Sequence, residues 1–401
     1  MDNSEIFKGL AGKTGDCFAG LRTPCYVLDE ERLRQNGEIL AGRAQRTGAK
    51  ILLAQKAFSN YGLYPLLAPY LAGTEASGLY EARLGAEEMP GKEVHVFCAA
   101  YREDEFAELL KYADHIVFNS VRQLKTFGPA AKAAGRSVGL RINPECSTQE
   151  GHALYDPCAP GSRLGVTREA WNREMTGELH DLLDGLHFHT LCEQDADALE
   201  TTLEAVETGF GDVLPRMKWL NMGGGHHITR ADYDRPRLEK LIRRAQGQWQ
   251  VQVYLEPGEA VALNAGYLVT DVLDVVENAG IRTAVLDASA ACHMPDVIEM
   301  PYTPPLLNGE AEGPETGRFR LAGPTCLAGD VIGEYSLDAE PRPGDRLVFG
   351  DMAIYTTCKN NTFNGMPLPD IYAMNRDGEF TKLTGFGYED FKGRLGSGKR
   401  E

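Results

Sequence analysis

Eight short runs rich in apolar and β-branched residues, with helix-like stretches between them, occupy the chain from Lys50 to Gly258. This alternation restricts the fold more than any other feature, because it is the pattern of parallel strands joined by crossover helices. The runs are KILLAQ from Lys50, GTEAS from Gly73, EVHVFCA from Glu93, HIVFNS from His115, SVGLRIN from Ser137, GLHFHT from Gly185, KWLNMGG from Lys218 and VQVYLEPG from Val251. Between them, EDEFAELLKYAD and RPRLEKLIRRAQ place apolar residues at three- and four-residue steps, as amphipathic helices do. Eight such units in about 200 to 250 residues match a closed (β/α)8 barrel of the TIM-like kind. A doubly wound open sheet is the alternative.

The pattern changes near residue 265. TAVLDAS, RFRLAGP, GDRLVFGDM and DIYAMN are short strands separated by Pro/Gly turns such as PRPGD, with no helices expected between them. The early segment TPCYVLD also reads as a strand and can join this C-terminal group, with a helix, ERLRQNGEILAGRAQR, leading on to the barrel. The expected α/β organisation is therefore a barrel over 36–265 and a β-sheet domain built from 1–35 and 266–401. CSTQEGHALYDPCAPGSRLG, within residues 146–165, has no period and reads as a long functional loop.

Charge and cysteine content narrow the function classes. A net charge of −17 repels phosphate backbones and anionic lipid and attracts a cationic small molecule, so neither nucleic acid nor a membrane is an expected partner. Nine cysteines, an odd number with no CxxC pair, read as reduced thiols. MDNSEIFKGLAGKTGD lacks the basic and apolar stretches of a signal peptide, and no run approaches a membrane span, which places the protein in the cytoplasm.

In a barrel, polar residues at the C-terminal ends of strands face the site. Lys56 follows the first run, where a desolvated amine can attack a carbonyl to form a Schiff base; a solvated loop lysine is the plainer alternative. His187 and His189, two apart, share one face of a strand, but no carboxylate spacing beside them makes a metal set, and no metal is expected there. Gly223, Gly224 and Gly225 follow the seventh run, where barrels hold phosphate on backbone N–H groups; neither a Walker loop nor GxGxxG is present. Glu256 ends the last run in YLEPG, and a carboxylate buried there needs a proton or a cation. Lysine, histidine, a glycine nest and glutamate on successive strand ends suit a phosphorylated aldehyde with a basic ring nitrogen, and pyridoxal phosphate has those groups.

On these residues the chain resembles the fold-type III, alanine-racemase-like pyridoxal phosphate decarboxylases, relatives of the ornithine/arginine and diaminopimelate decarboxylases, from about Thr23 to Met374. The resemblance implies that Lys56 carries pyridoxal 5'-phosphate covalently, that His189 stacks on its ring, that Gly223 to Gly225 and Tyr355 hold its phosphate and that Glu256 pairs with the ring nitrogen. It also implies that Cys326, closing GPTC, is the catalytic proton donor, with FNG at Phe363 to Gly365 a further family mark. In this family the cysteine comes from a neighbouring subunit, so a homodimer with shared active sites is implied.

Departures from the family pattern bear on the substrate. Glu259 stands where related enzymes carry Arg after EPG, and an acid there repels the distal carboxylate of diaminopimelate. Leu327 replaces the usual acid after the cysteine, and Cys192 the serine of the phosphate loop. HTLCEQ, EPGEA and SAACHMPDVIEMPY resemble the branch that decarboxylates the longer carboxylated polyamines carboxynorspermidine and carboxyspermidine. Glu259 and Asp296 are then candidates for its ammonium groups, with Glu299 and Asp330 behind them. Diaminopimelate or another basic amino acid as substrate, an amino-acid racemase, and a cofactor-binding relative without turnover remain alternatives.

Overall fold

The computed structural model describes all residues except 1–5, 8–9, 11–14, 150–155, 308, 312, 314–316 and 397–401, so the centre of the long loop lies outside the described residues. The chain divides into two compact units, one of residues 35–261 and the other of residues 1–34 with 262–401.

The 35–261 unit is a closed barrel of eight parallel strands: β2 (Lys50–Ala54), β3 (Gly73–Ala76), β4 (Glu93–Phe97), β5 (His115–Phe118), β6 (Ser137–Arg141), β7 (Gly185–His187), β8 (Trp219–Asn221) and β9 (Gln252–Leu255). Lys50 pairs with Tyr254 and Ile51 with Leu255 to close the ring. All eight runs expected from the sequence are barrel strands. The interior is fitted around Trp219: a Cβ on Gly185 would fall 2.0 Å from its ring and one on Gly139 2.3 Å, so the two glycines make the space the indole fills. Two of the crossover helices carry side-chain caps, Ser120 accepting from Gln123 N–H and Asp234 from Arg237 N–H. β7 and β8 are only three residues long, so His189 and the glycines lie past their strand ends, in the loops where barrel sites form.

In the other unit β1 (Cys25–Asp29), fully buried, is central to a mixed sheet. It pairs antiparallel with β10 (Gly266–Asn278) and parallel with β16 (Asp370–Met374). The sheet continues through β11 (Ile281–Leu286), β13 (Arg318–Ala322), β14 (Val331–Leu337) and β12 (Gly309–Glu310) on one side and β17 (Phe380–Thr384) on the other, with β15 (Arg346–Gly350) also on β10. TPCYVLD thus joins the C-terminal strands.

Two features differ from the sequence reading. β10, β12, β14 and β17 were not among the expected strands; in β10, Asp271, Asp274 and Glu277 recur at three-residue steps and mask the alternation of a strand whose outer half is solvated. This unit also contains short helices, at Ala290–His293 and Asp296–Glu299 between strands and at Tyr388–Gly393 after the last one. At four to six residues each is too short to show a helical period.

Candidate active site

The C-terminal ends of the barrel strands assemble the first cluster. Lys56 follows β2 directly, half-buried, and its Nζ has no hydrogen bond or ion pair among the described residues. The EPG turn lies against the same segment: a Cβ on Gly258 would meet that of Ala57 at 2.6 Å. Glu256, at the head of that turn, is buried. Its Oε1 accepts from Asn221 Nδ2 at 2.6 Å and its Oε2 lies 3.1 Å from His187 Nε2. Burial alone would raise its pKa, but the His187 and Asn221 contacts outweigh burial and bring it to about 2. Burial drives His187 the other way, below the usual imidazole value, so it donates Nε2–H as a neutral ring. Glu256 is therefore an ionised carboxylate whose direct donors are both neutral.

His189 lies just beyond. Its Nδ1 accepts the Gly224 N–H at 2.8 Å, which puts the ring proton on Nε2. Burial, then the charges of Lys56 and Arg141, push its pKa well below the usual value. With His187 committed to Glu256 and His189 to Gly224, the two rings do not form a common metal set. Asn221 Oδ1 accepts Gly223 N–H, and Gly223 O accepts Glu256 N–H at 2.7 Å, which ties the glycine loop to the carboxylate. Gly223 and Gly225 adopt left-handed φ of 67° and 79°. A Cβ on Gly225 would lie 2.0 Å from Leu191 O, so only glycine fits.

Three participants were missed as such in the sequence. Arg141, at the end of β6, is buried against the Phe97 ring and donates to His189 O at 3.0 Å; burial brings it down to about 10. Glu75 on β3 is buried with Oε2 unpartnered, and burial, then the charge of Glu256, raise it to about 8. Asn221 orients Glu256. Each is a polar residue inside an apolar strand run, the signal that would have found them.

Glu259 opens a short helix after the turn and lies 2.9 Å from Nε2 of the buried His227. Burial opposes charge on His227, yet the bond to Glu259 prevails and its pKa is raised.

The second cluster belongs to the sheet unit. Cys326 is exposed; its Sγ–H donates to Asn364 Oδ1 at 2.9 Å, and its N–H reaches the same oxygen at 3.3 Å. Asn364 sits in FNG with a left-handed φ of 59°. Asp330 is buried, and it is spent on the fold: Oδ1 accepts from Ser289 Oγ and Ala291 N–H, Oδ2 from Thr325 Oγ1. Asp330, a sequence candidate for substrate ammonium, thus has its contacts on Ser289, Ala291 and the GPTC turn. Asp296 and Glu299 share Lys359. Tyr355 has a left-handed φ of 50°, and Leu327 is exposed. None of the nine cysteines is in a disulfide.

A barrel with a lone amine, a glycine loop, a neutral imidazole and a buried carboxylate whose direct donors are both neutral suits an enzyme that holds a phosphorylated aromatic cofactor with a protonated ring nitrogen. The chain belongs to the pyridoxal-dependent decarboxylase family: a family profile described as "Pyridoxal-dependent decarboxylase, C-terminal sheet domain" matches residues 25–353. A carboxynorspermidine/carboxyspermidine decarboxylase of Campylobacter jejuni is 42% identical over 93% of this chain and 98% of its own length. A carboxyaminopropylagmatine decarboxylase of Synechocystis is also 42% identical, over 94% and 97%. The crystal structure of carboxynorspermidine decarboxylase from Campylobacter jejuni complexed with norspermidine matches with a TM-score of 0.85 at 40% identity, covering 93% of this chain and all of that one. Pyridoxal 5'-phosphate is the cofactor of this family, and the residues here fit it: the glycine loop leaves the room a Cβ would fill, and Glu256 lacks only a cationic partner. Among the described residues no helix is long and apolar enough to cross a membrane.

Proposed function

We propose that the chain decarboxylates carboxynorspermidine or carboxyspermidine to norspermidine or spermidine, as a step of polyamine biosynthesis in the cytoplasm. The observation that carries this reading is the near full-length likeness to the Campylobacter enzyme whose structure contains norspermidine. Glu259 in place of an arginine argues in the same direction, since an acid beside His227 disfavours a substrate with a second carboxylate.

Lys56 would be the covalent anchor of the cofactor, Gly223 to Gly225 and Tyr355 would hold its phosphate, His189 would stack on its ring and Glu256 would keep its ring nitrogen protonated. The bound cofactor supplies the electron sink that allows a bond from an amine-bearing carbon to a carboxyl group to break. Glu256 acts only as an ion, which its neutral donors and a pKa of about 2 secure at every working pH. Cys326 Sγ–H delivers the proton that replaces the carboxyl group and regains one from solvent. Glu259 and Asp296, with Glu299, take the distal ammonium groups, exchanging His227 or Lys359 for the substrate's charge. A homodimer in which each copy gives its Cys326 to the other's site completes this reading.

The Synechocystis relative, equally similar, supports a second substrate, carboxyaminopropylagmatine, whose far end is a guanidinium. The test is CO2 release from carboxynorspermidine, carboxyspermidine, carboxyaminopropylagmatine, diaminopimelate, ornithine and arginine. The first two should exceed diaminopimelate by more than about 100-fold in kcat/KM, the discrimination available when a buried polar group is left unpaired. A preference for diaminopimelate, or no CO2 from any of the six, defeats the proposal. Lys56→Ala should lose the cofactor on gel filtration.

A further inference from the structure

At the end of the barrel opposite Lys56, where the strands begin, Glu93 and His115 are the first residues of β4 and β5, and His95 is the third of β4. One ligand atom from each lies within 4.8 Å of the other two. The imidazoles of His95 and His115 stack with centroids 3.9 Å apart and an interplanar angle of 11°, and His95 Nε2 is 3.1 Å from Glu93 Oε2. Trp219 and Tyr254 close the inner side, with ring centroids 5.3 and 5.4 Å from that of His115. His95 is 1% exposed, and the Nδ1 atoms of both histidines are buried without a partner. An aromatic stack needs no such arrangement: burying a ring nitrogen without a partner costs free energy that a phenyl ring in the same place would not.

We propose that Glu93, His95 and His115 form a binding site for a divalent transition ion of the zinc class. Two imidazoles and one carboxylate on adjacent strands are ligands that zinc, cobalt and nickel favour, and solvent can supply the remaining position because Glu93 and His115 are only partly buried. Lys50, the first residue of β2, now donates to Glu93 and lies 3.3 Å from Tyr254 OH. Its ammonium holds the cationic position beside the carboxylate, and with 39% of the side chain exposed it can withdraw into water when the ion binds. The ion would tie β4 to β5 at the barrel base, at the other end of the strands from Glu256. Its role is to stabilise the fold, since none of its ligands touches Lys56 or Glu256. The other grouping of this kind among the described residues, Glu193, His227 and Glu259, is at the glycine-loop end and serves as the control.

The experiment uses cofactor-loaded protein, stripped with a chelator and titrated with Zn2+ or Co2+. One retained equivalent per chain, visible cobalt bands at longer wavelength than the cofactor's absorption, and a higher Tm are the expected results. His115→Ala should abolish all three while leaving turnover unchanged. Lys50→Met should tighten binding about tenfold, the change that about 1.4 kcal/mol of relieved charge repulsion gives. His227→Gln should leave binding intact. No retained metal, binding that survives His115→Ala, binding lost in His227→Gln, or weaker binding in Lys50→Met each overturns the site.

Discussion

Cys326 and Asn364 are joined twice: the thiol donates to Asn364 Oδ1 at 2.9 Å and the Cys326 backbone N–H reaches the same oxygen at 3.3 Å. The oxygen is presented by a residue in the left-handed region, φ 59°, between Phe363 and Gly365. FNG and GPTC, separated by nearly forty residues of chain, thus act as one local unit. A sulfur fixed in this way keeps its S–H in one direction, which a proton donor requires.

Asn364→Ala removes that acceptor and leaves the backbone otherwise intact. Freed from the amide, Cys326 should be alkylated by iodoacetamide about 3- to 10-fold faster, the factor that a lost hydrogen bond of about 1 kcal/mol represents. Mass-spectrometric labelling of the Cys326 peptide reads this directly. An unchanged rate would mean that the bond does not hold the thiol in solution.

Glu256→Gln keeps the shape and an acceptor for Asn221 but removes the charge. Turnover at saturating cofactor and substrate should fall by at least about 100-fold, the usual effect of removing one preorganised electrostatic contact. Circular dichroism should be unchanged, because the amide oxygen can still accept from Asn221. Turnover within tenfold of the unsubstituted enzyme would show that the ring nitrogen does not depend on this carboxylate.

The barrel was legible because parallel strands buried on both faces must be apolar throughout, and all eight runs carried that mark. The strand-end placement of Lys56, His189, the glycines and Glu256 was legible for a related reason: each interrupts or ends such a run, where an unpaired polar group is costly. Asn221 and Arg141 bore the same mark, but their work is to orient Glu256 and His189, and a partner two strands away leaves no trace in local spacing. Asp330 shows the converse: an acid close to the GPTC cysteine reads as a substrate contact in the sequence, and its buried position and three donors only become visible once β14 is placed beside β13.

Glu75 makes the stability of the cofactor-free barrel depend on pH. Its carboxyl titrates near 4.5 when unfolded and near about 8 in the fold, raised by burial and then by Glu256. Between those values the folded state retains a proton that the unfolded chain has lost, so stability falls as pH rises through the window. Glu75→Gln is neutral in both states and removes this slope. The Tm of the variant should therefore gain on that of the unsubstituted chain as pH goes from about 4.5 to 8. Parallel Tm curves would show that Glu75 is ionised in the folded barrel.

Asp330→Ala tests whether this acid serves the fold or the substrate. The substitution strands Ser289 Oγ, Thr325 Oγ1 and Ala291 N–H, of which Ser289 also caps the helix Ala290–His293. A stranded buried group such as Ser289 costs about 1 to 3 kcal/mol, and the half-buried Thr325 and Ala291 add less, so about 3 kcal/mol in all is the expected destabilisation by urea unfolding. The GPTC turn would loosen with it, so kcat should fall more than KM rises. A variant of unchanged stability whose KM alone rises would return Asp330 to the list of ammonium ligands.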